Sequence, residues 1–189
     1  MTRNLEPEPT PAARRLAAQY ETARALAESE TLTEAMPRIL QAICEALGWE
    51  HGALWDRDTK QNFLKCIEIW SIPSLKFAQF EAVSRKITFA RGVGLPGRVW
   101  QSGQPAWIPD VTSDTNFPRA KMAARDGLRS AFGFPIVLGD QILGVMEFFS
   151  REIRQPDDEL LRLLATIGRQ IGLFVERRRA QEDLARHFR

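Results

Sequence analysis

The sequence predicts an α+β domain in which helices flank one central antiparallel sheet. Three observations carry that prediction. Residues 132–138 and 142–149 read as a hairpin turning at Gly139-Asp140, a dipeptide suited to positive φ. Both faces of the strand pair are apolar: Phe132, Phe134, Ile136 and Leu138 share one, while Leu143 and Val145 oppose Ile142, Gly144 and Met146 on the second strand. Such strands must be covered on both sides. Helical stripes then stand at either end of the chain, which at 189 residues and 44% hydrophobic content can bury one substantial core.

Taken in order, residues 1–11 are polar and proline-rich, without an apolar signal core, and read as a disordered lead-in. Residues 12–30 form a linker helix. Its Leu16, Tyr20, Ala23 and Ala27 make a narrow stripe suited to a partner helix. Thr31 or Thr33 caps a second helix with Met36, Ile39, Leu40, Ile43 and Leu47 on its buried face, and Gly48 ends it. Strands follow at 53–56 and 63–70, joined by a polar turn, and then a short amphipathic helix at 74–85.

Residues 87–89 read as a strand, and Gly92, Gly94 and Gly97 follow with the spacing of a dinucleotide-binding turn. The surroundings argue against that use. Pro96 suits the first turn of a helix, but Gly103 and Pro105 stop it within about two turns, too soon to return the chain across a parallel sheet. The next strand, 106–109, has prolines at its margins and fits a sheet edge. Residues 116–126 form a loop and a short helix.

Residues 156–189 read as one long helix opened by Asp157, Asp158 and Glu159, whose charges favour a helix N-terminus. Leu160, Leu164, Ile167, Ile171 and Phe174 step along it like a coiled-coil seam. Beyond residue 175 the seam becomes polar, so 176–189 are expected to protrude as a connector. The main domain is thus expected over 31–175.

The run 89–110 (Phe-Ala-Arg-Gly-Val-Gly-Leu-Pro-Gly-Arg-Val-Trp-Gln-Ser-Gly-Gln-Pro-Ala-Trp-Ile-Pro-Asp), with 111–124, Gly127-Leu128-Arg129-Ser130, the hairpin and the final Gln155-Pro156-Asp157-Asp158-Glu159-Leu160-Leu161, resembles a GAF domain from about residue 31 to 178. It looks especially like the modules found beside PAS and histidine kinase domains in bacteria. The resemblance implies a sensor with a cavity between one sheet face and a cover that includes 107–110 and 116–130. On that basis Trp55, Trp70, Trp107, Phe117 and Phe132 are candidate walls for an unidentified small-molecule ligand. Asp110, Arg125, Arg129 and Ser130 are candidate polar contacts. Bilin-binding members attach their chromophore through a cysteine on the cover, and this chain has none after Cys66. The Asn-Lys pair and the Phe of the cyclic-nucleotide members are replaced by Ser150-Arg151 and Arg154, leaving only Asp158-Glu159.

Enzyme activity is not expected. No nucleophile has a base beside it, and His51 and His187 have no neighbouring ligand residue for a metal. Cys44 lies on an apolar helix face and Cys66 in a strand. A thiol-dependent small-molecule reductase would have to use Cys66. A net charge of +2 points to no nucleic-acid partner, and no apolar run approaches the roughly 20 residues of a membrane span. The expectation is a cytoplasmic sensory domain of a signal-transduction protein. It forms a homodimer through Leu16, Tyr20, Leu164, Ile167, Ile171 and Phe174, and relays its state to a downstream kinase or cyclase. A dimerisation spacer without ligand and the thiol-dependent reductase are the alternatives.

Overall fold

The computed structural model describes residues 6–188, and residues 1–5 of the expected lead-in lie outside them. Helices α1 (Pro11–Glu28) and α2 (Leu32–Leu47) start at Thr10 and Thr31, whose hydroxyls accept from the Ala13 and Glu34 amides. Strands β1 (His51–Asp58) and β2 (Phe63–Ser71) follow, then α3 (Ala78–Lys86), β3 (Thr88–Phe89), α4 (Gly94–Ser102) and β4 (Ala106–Ile108). The chain continues through α5 (Ala120–Arg125), the hairpin β5 (Ser130–Leu138) and β6 (Gln141–Ser150), and α6 (Asp158–His187). The six strands form one antiparallel sheet in the order β3-β2-β1-β6-β5-β4, with the proline-flanked β4 on an edge. This is the predicted α+β class.

Strand alternation sends side chains into two cores. Leu54, Phe132, Phe134, Ile136, Met146 and Phe148 meet α1, α2 and α6 on one face. Ala53, Trp55, Ala131, Val145 and Phe149 meet α3, α4 and the segment around α5 on the other.

Helix α6 is a single unbroken helix through the expected boundary at residue 175. Its N-terminal half lies on β5 with Leu164, Ile167 and Ile171 fully buried. The contact is unusually close at Gly168 and Gly172, one helical turn apart. A β-carbon there would overlap the carbonyl oxygens of Pro135 and Val137. From Arg179 to Phe188 every residue is exposed. Arg178 marks the departure point, donating to the Ser29 carbonyl at 2.8 Å. No helix of the described residues is long and apolar enough to cross a membrane.

Candidate functional site

The sheet face covered by α3, α4 and the α5 segment, called the covered face below, buries one acid. In β6, Val145, Glu147 and Phe149 point the same way, so Glu147 is fully buried between apolar neighbours. A carboxylate there requires a charge partner. Arg119 supplies it from the N-cap position of α5. Its Nη1 and Nη2 donate to Glu147 Oε1 and Oε2 at 2.7 and 2.8 Å, a bidentate pair, and Nη1 also donates to Ser84 Oγ at 3.1 Å. Trp55 Nε1 donates to Glu147 Oε1 at 2.7 Å. The guanidinium carbon lies 4.8–5.6 Å from the rings of Trp55, Phe80, Phe89, Phe117 and Phe149, within cation–π range. The space that the resemblance assigns to a ligand therefore holds these side chains.

The glycine run secures the segment that delivers Arg119. Gly92 and Gly94 have φ of +79° and +65°, a conformation open to glycine. It exposes the Gly92 carbonyl and the Gly94 amide to one partner. Asn116 Nδ2 donates to the first at 2.8 Å, and its Oδ1 accepts from the second at 3.0 Å. Arg98, on α4, reaches Asp114 at 2.6 Å and the Asn116 carbonyl at 2.8 Å. The motif that matches a phosphate-binding turn by spacing thus clamps a loop.

The candidate site residues do not converge. Trp55 and Phe117 lie on the Arg119 face. Phe132, Trp70 and Trp107 pack on the opposite face, where Trp107 stands edge-on to Trp49 with centroids 5.4 Å apart. One pocket cannot have all five as walls, because strand parity separates them. Asp110 and Arg129 pair with each other at 2.6 Å, and this pairing holds the Asp110 carboxyl well below the usual carboxylate range. Ser130 donates to the Pro109 carbonyl at 2.5 Å and accepts from the Arg154 amide at 2.6 Å. Arg125 is exposed, near Gln79. Glu147 and Arg119 are not among the candidates from sequence. Strand parity with Val145 and Phe149 is a signal that marks Glu147, whereas no local pattern marks the loop residue Arg119.

The expected dimer seam needs the same correction. Leu164, Ile167 and Ile171 are 0% exposed and Phe174 is 7% exposed, so they fill this chain's own core. Leu16 and Tyr20 are 66% and 64% exposed and remain accessible.

Beside the ion pair, His51 is fully buried against Phe77, Phe80 and Phe149. Ser71 Oγ donates to Glu81 Oε1 at 2.6 Å, so it accepts from His51 Nδ1 at 2.8 Å. That leaves Nε2 as a bare acceptor, buried without a hydrogen-bond partner. Burial, with the Arg119 charge next, lowers the His51 pKa from 6.5 to about 3. The depressed value means that stability is fully present above pH 6.5 and is lost as pH falls towards 3. Between pH 7 and 5 the loss should be about 2 kcal/mol. Urea midpoints at the two pH values test this against His51→Gln; equal pH dependence in both proteins would refute it. Burial also pushes the Cys66 thiol up to about 12, and raises that of Cys44 further. Neither is an activated thiolate.

A family model described as a GAF domain matches residues 29–176. The Arabidopsis thaliana protein NLP8 is 31% identical over 134 residues, 63% of this chain. The chain spans 14–16% of the length of the curated relatives it matches. Among solved structures, a GAF domain from a Coxiella burnetii phosphoenolpyruvate-protein phosphotransferase superposes with a TM-score of 0.75 at 18% identity, covering 92% of this chain and 99% of that one. Free methionine-R-sulfoxide reductase from Neisseria meningitidis, in complex with its substrate, gives 0.73 at 17% identity, covering 95% and 99%.

Proposed function

This chain belongs to the GAF domain family, and on that premise we propose that it is a non-catalytic regulatory domain. In this reading, changes on the covered face of the sheet reach a downstream kinase or cyclase through a homodimeric pair of α6 helices. The observation that carries it is α6 itself. Its first half is seated on β5 at Gly168 and Gly172, and from Arg179 to Phe188 none of the described residues covers it. A helix with no core of its own to cover gains stability from a partner.

The accessible apolar surface supports a dimer that keeps the predicted α1 residues but uses a different face of α6. Ala23 and Ala27 of α1 flank a groove with Leu173 of α6, and Leu173 is 55% exposed. Leu16 and Tyr20 extend the same α1 stripe. Replacing Tyr20 and Leu173 together with glutamate should convert the protein from two chains to one by light scattering, with helical circular dichroism unchanged. A dimer that survives the pair of charges would end this assignment.

The filled face favours a second reading, the spacer that joins protomers without binding a ligand. The two readings differ in whether Arg119 ever leaves Glu147.

A further inference from the structure

We infer that the covered face is a receptor for guanidinium compounds, occupied from within by Arg119 as a displaceable plug. This rests on the regulatory reading above and names the ligand class for that face.

The receptor half and the plug half come from different parts of the fold. Glu147, Trp55 and Phe149 stand on central strands, and Phe80 and Ser84 on α3. Trp55 Nε1 fixes the carboxylate independently of Arg119. Arg119 instead arrives from the segment between β4 and β5, whose regular structure is the six-residue α5. Val111, Phe117, Ala123 and Leu128 seat that segment in the core of this face, and polar contacts tie down its margin: Arg98 with Asp114, Arg129 with Asp110, and the Phe80 amide with Asp126 at 2.7 Å. Polar contacts at a margin contribute little individually, so the buried apolar residues are what release of Arg119 has to leave in place.

The site also offers more than the tethered arginine uses. Glu147 presents two oxygens, Ser84 one and His51 Nε2 one. The last has no donor, although His51 and the guanidinium carbon pack against the same rings of Phe80 and Phe149. Arg119 Nε, buried as well, has no acceptor. A side chain anchored at its own backbone cannot match every group around it. A free guanidinium has three nitrogens to orient. Its entry would exchange one cation for another against Glu147, so the buried carboxylate would remain paired while Arg119 regained hydration. A neutral or anionic ligand would leave Glu147 unpaired, and that selects the class.

Methylguanidinium is the probe. Arg119→Ala, which keeps Glu147 and removes the plug, should bind it by calorimetry at least about tenfold more tightly than wild type does, and the double variant R119A/E147Q should not bind it. Folded R119A that fails to bind methylguanidinium overturns the inference. If R119A does not fold alone, hydrogen exchange on wild type decides. Amides of residues 111–129 should exchange about tenfold faster in methylguanidinium chloride than in sodium chloride of equal ionic strength. Equal exchange in the two salts overturns it. Neither result depends on oligomeric state, so failure here is separable from failure of the dimer test.

Discussion

Arg119→Met should lower stability by about 3–5 kcal/mol in urea unfolding at pH 7, a large part of what a domain of this size has. Methionine roughly fills the aliphatic volume, so the loss is not mainly that of a cavity. It arises because Glu147, fully buried, would lose its charge partner and be left with only the Trp55 N–H as a donor. The partner variant separates this account from general damage to the core. In R119M/E147Q no net charge remains, and glutamine still offers Trp55 an acceptor. The double variant should therefore be more stable than R119M by at least about 2 kcal/mol, since replacing both members of a buried pair costs far less than orphaning one. If the two changes simply add, Arg119 and Glu147 are not energetically coupled.

The second large effect is expected at Gly168 and Gly172. Glycine to alanine inside a helix ordinarily stabilises by up to about 1 kcal/mol. Here the sign should reverse, with each substitution costing about 2–3 kcal/mol, because the new methyl meets a backbone carbonyl of β5 rather than a flexible side chain. Relief requires α6 to move off the sheet. Gly172→Ala should therefore also speed hydrogen exchange in β5 around Val137, against which its methyl would press. Alanine variants at least as stable as wild type would show that helix and strand are not in such close contact.

The contrast between these two sites shows what local sequence encodes. Elements were legible because their signals are local: Thr31 as a cap, Gly48 and Gly103 as terminators, Gly139-Asp140 as a turn, the prolines around β4 as marks of an edge. The candidate site depended on faces. Trp55 and Phe132 look alike as aromatic strand residues, yet they point to opposite sides of the sheet. The register shift between Leu54 and Trp55 complicates counting along β1 still further. Glu147 was recoverable from parity with Val145 and Phe149. Arg119 was not, because its place depends on a loop whose anchor, Asn116, bonds to glycines more than twenty positions earlier. The seam 164–171 was ambiguous for another reason. The same spacing serves a coiled coil and a helix lying on a sheet, and only the glycines at 168 and 172 tell them apart.

The continuity of α6 has a mechanical consequence. From Gly172 to His187 the helix runs about 22 Å at the α-helical rise, with no break to absorb a bend. It is a lever whose fulcrum is the contact with β5. A tilt of about 5° at that fulcrum would carry the far end through roughly 2 Å, comparable to the 1–2 Å helix shifts used in known switching proteins. The amplitude of any output is then set by the stiffness of the rod and the closeness of its seat. A sub-ångström adjustment of one strand is enough to be read at the other end.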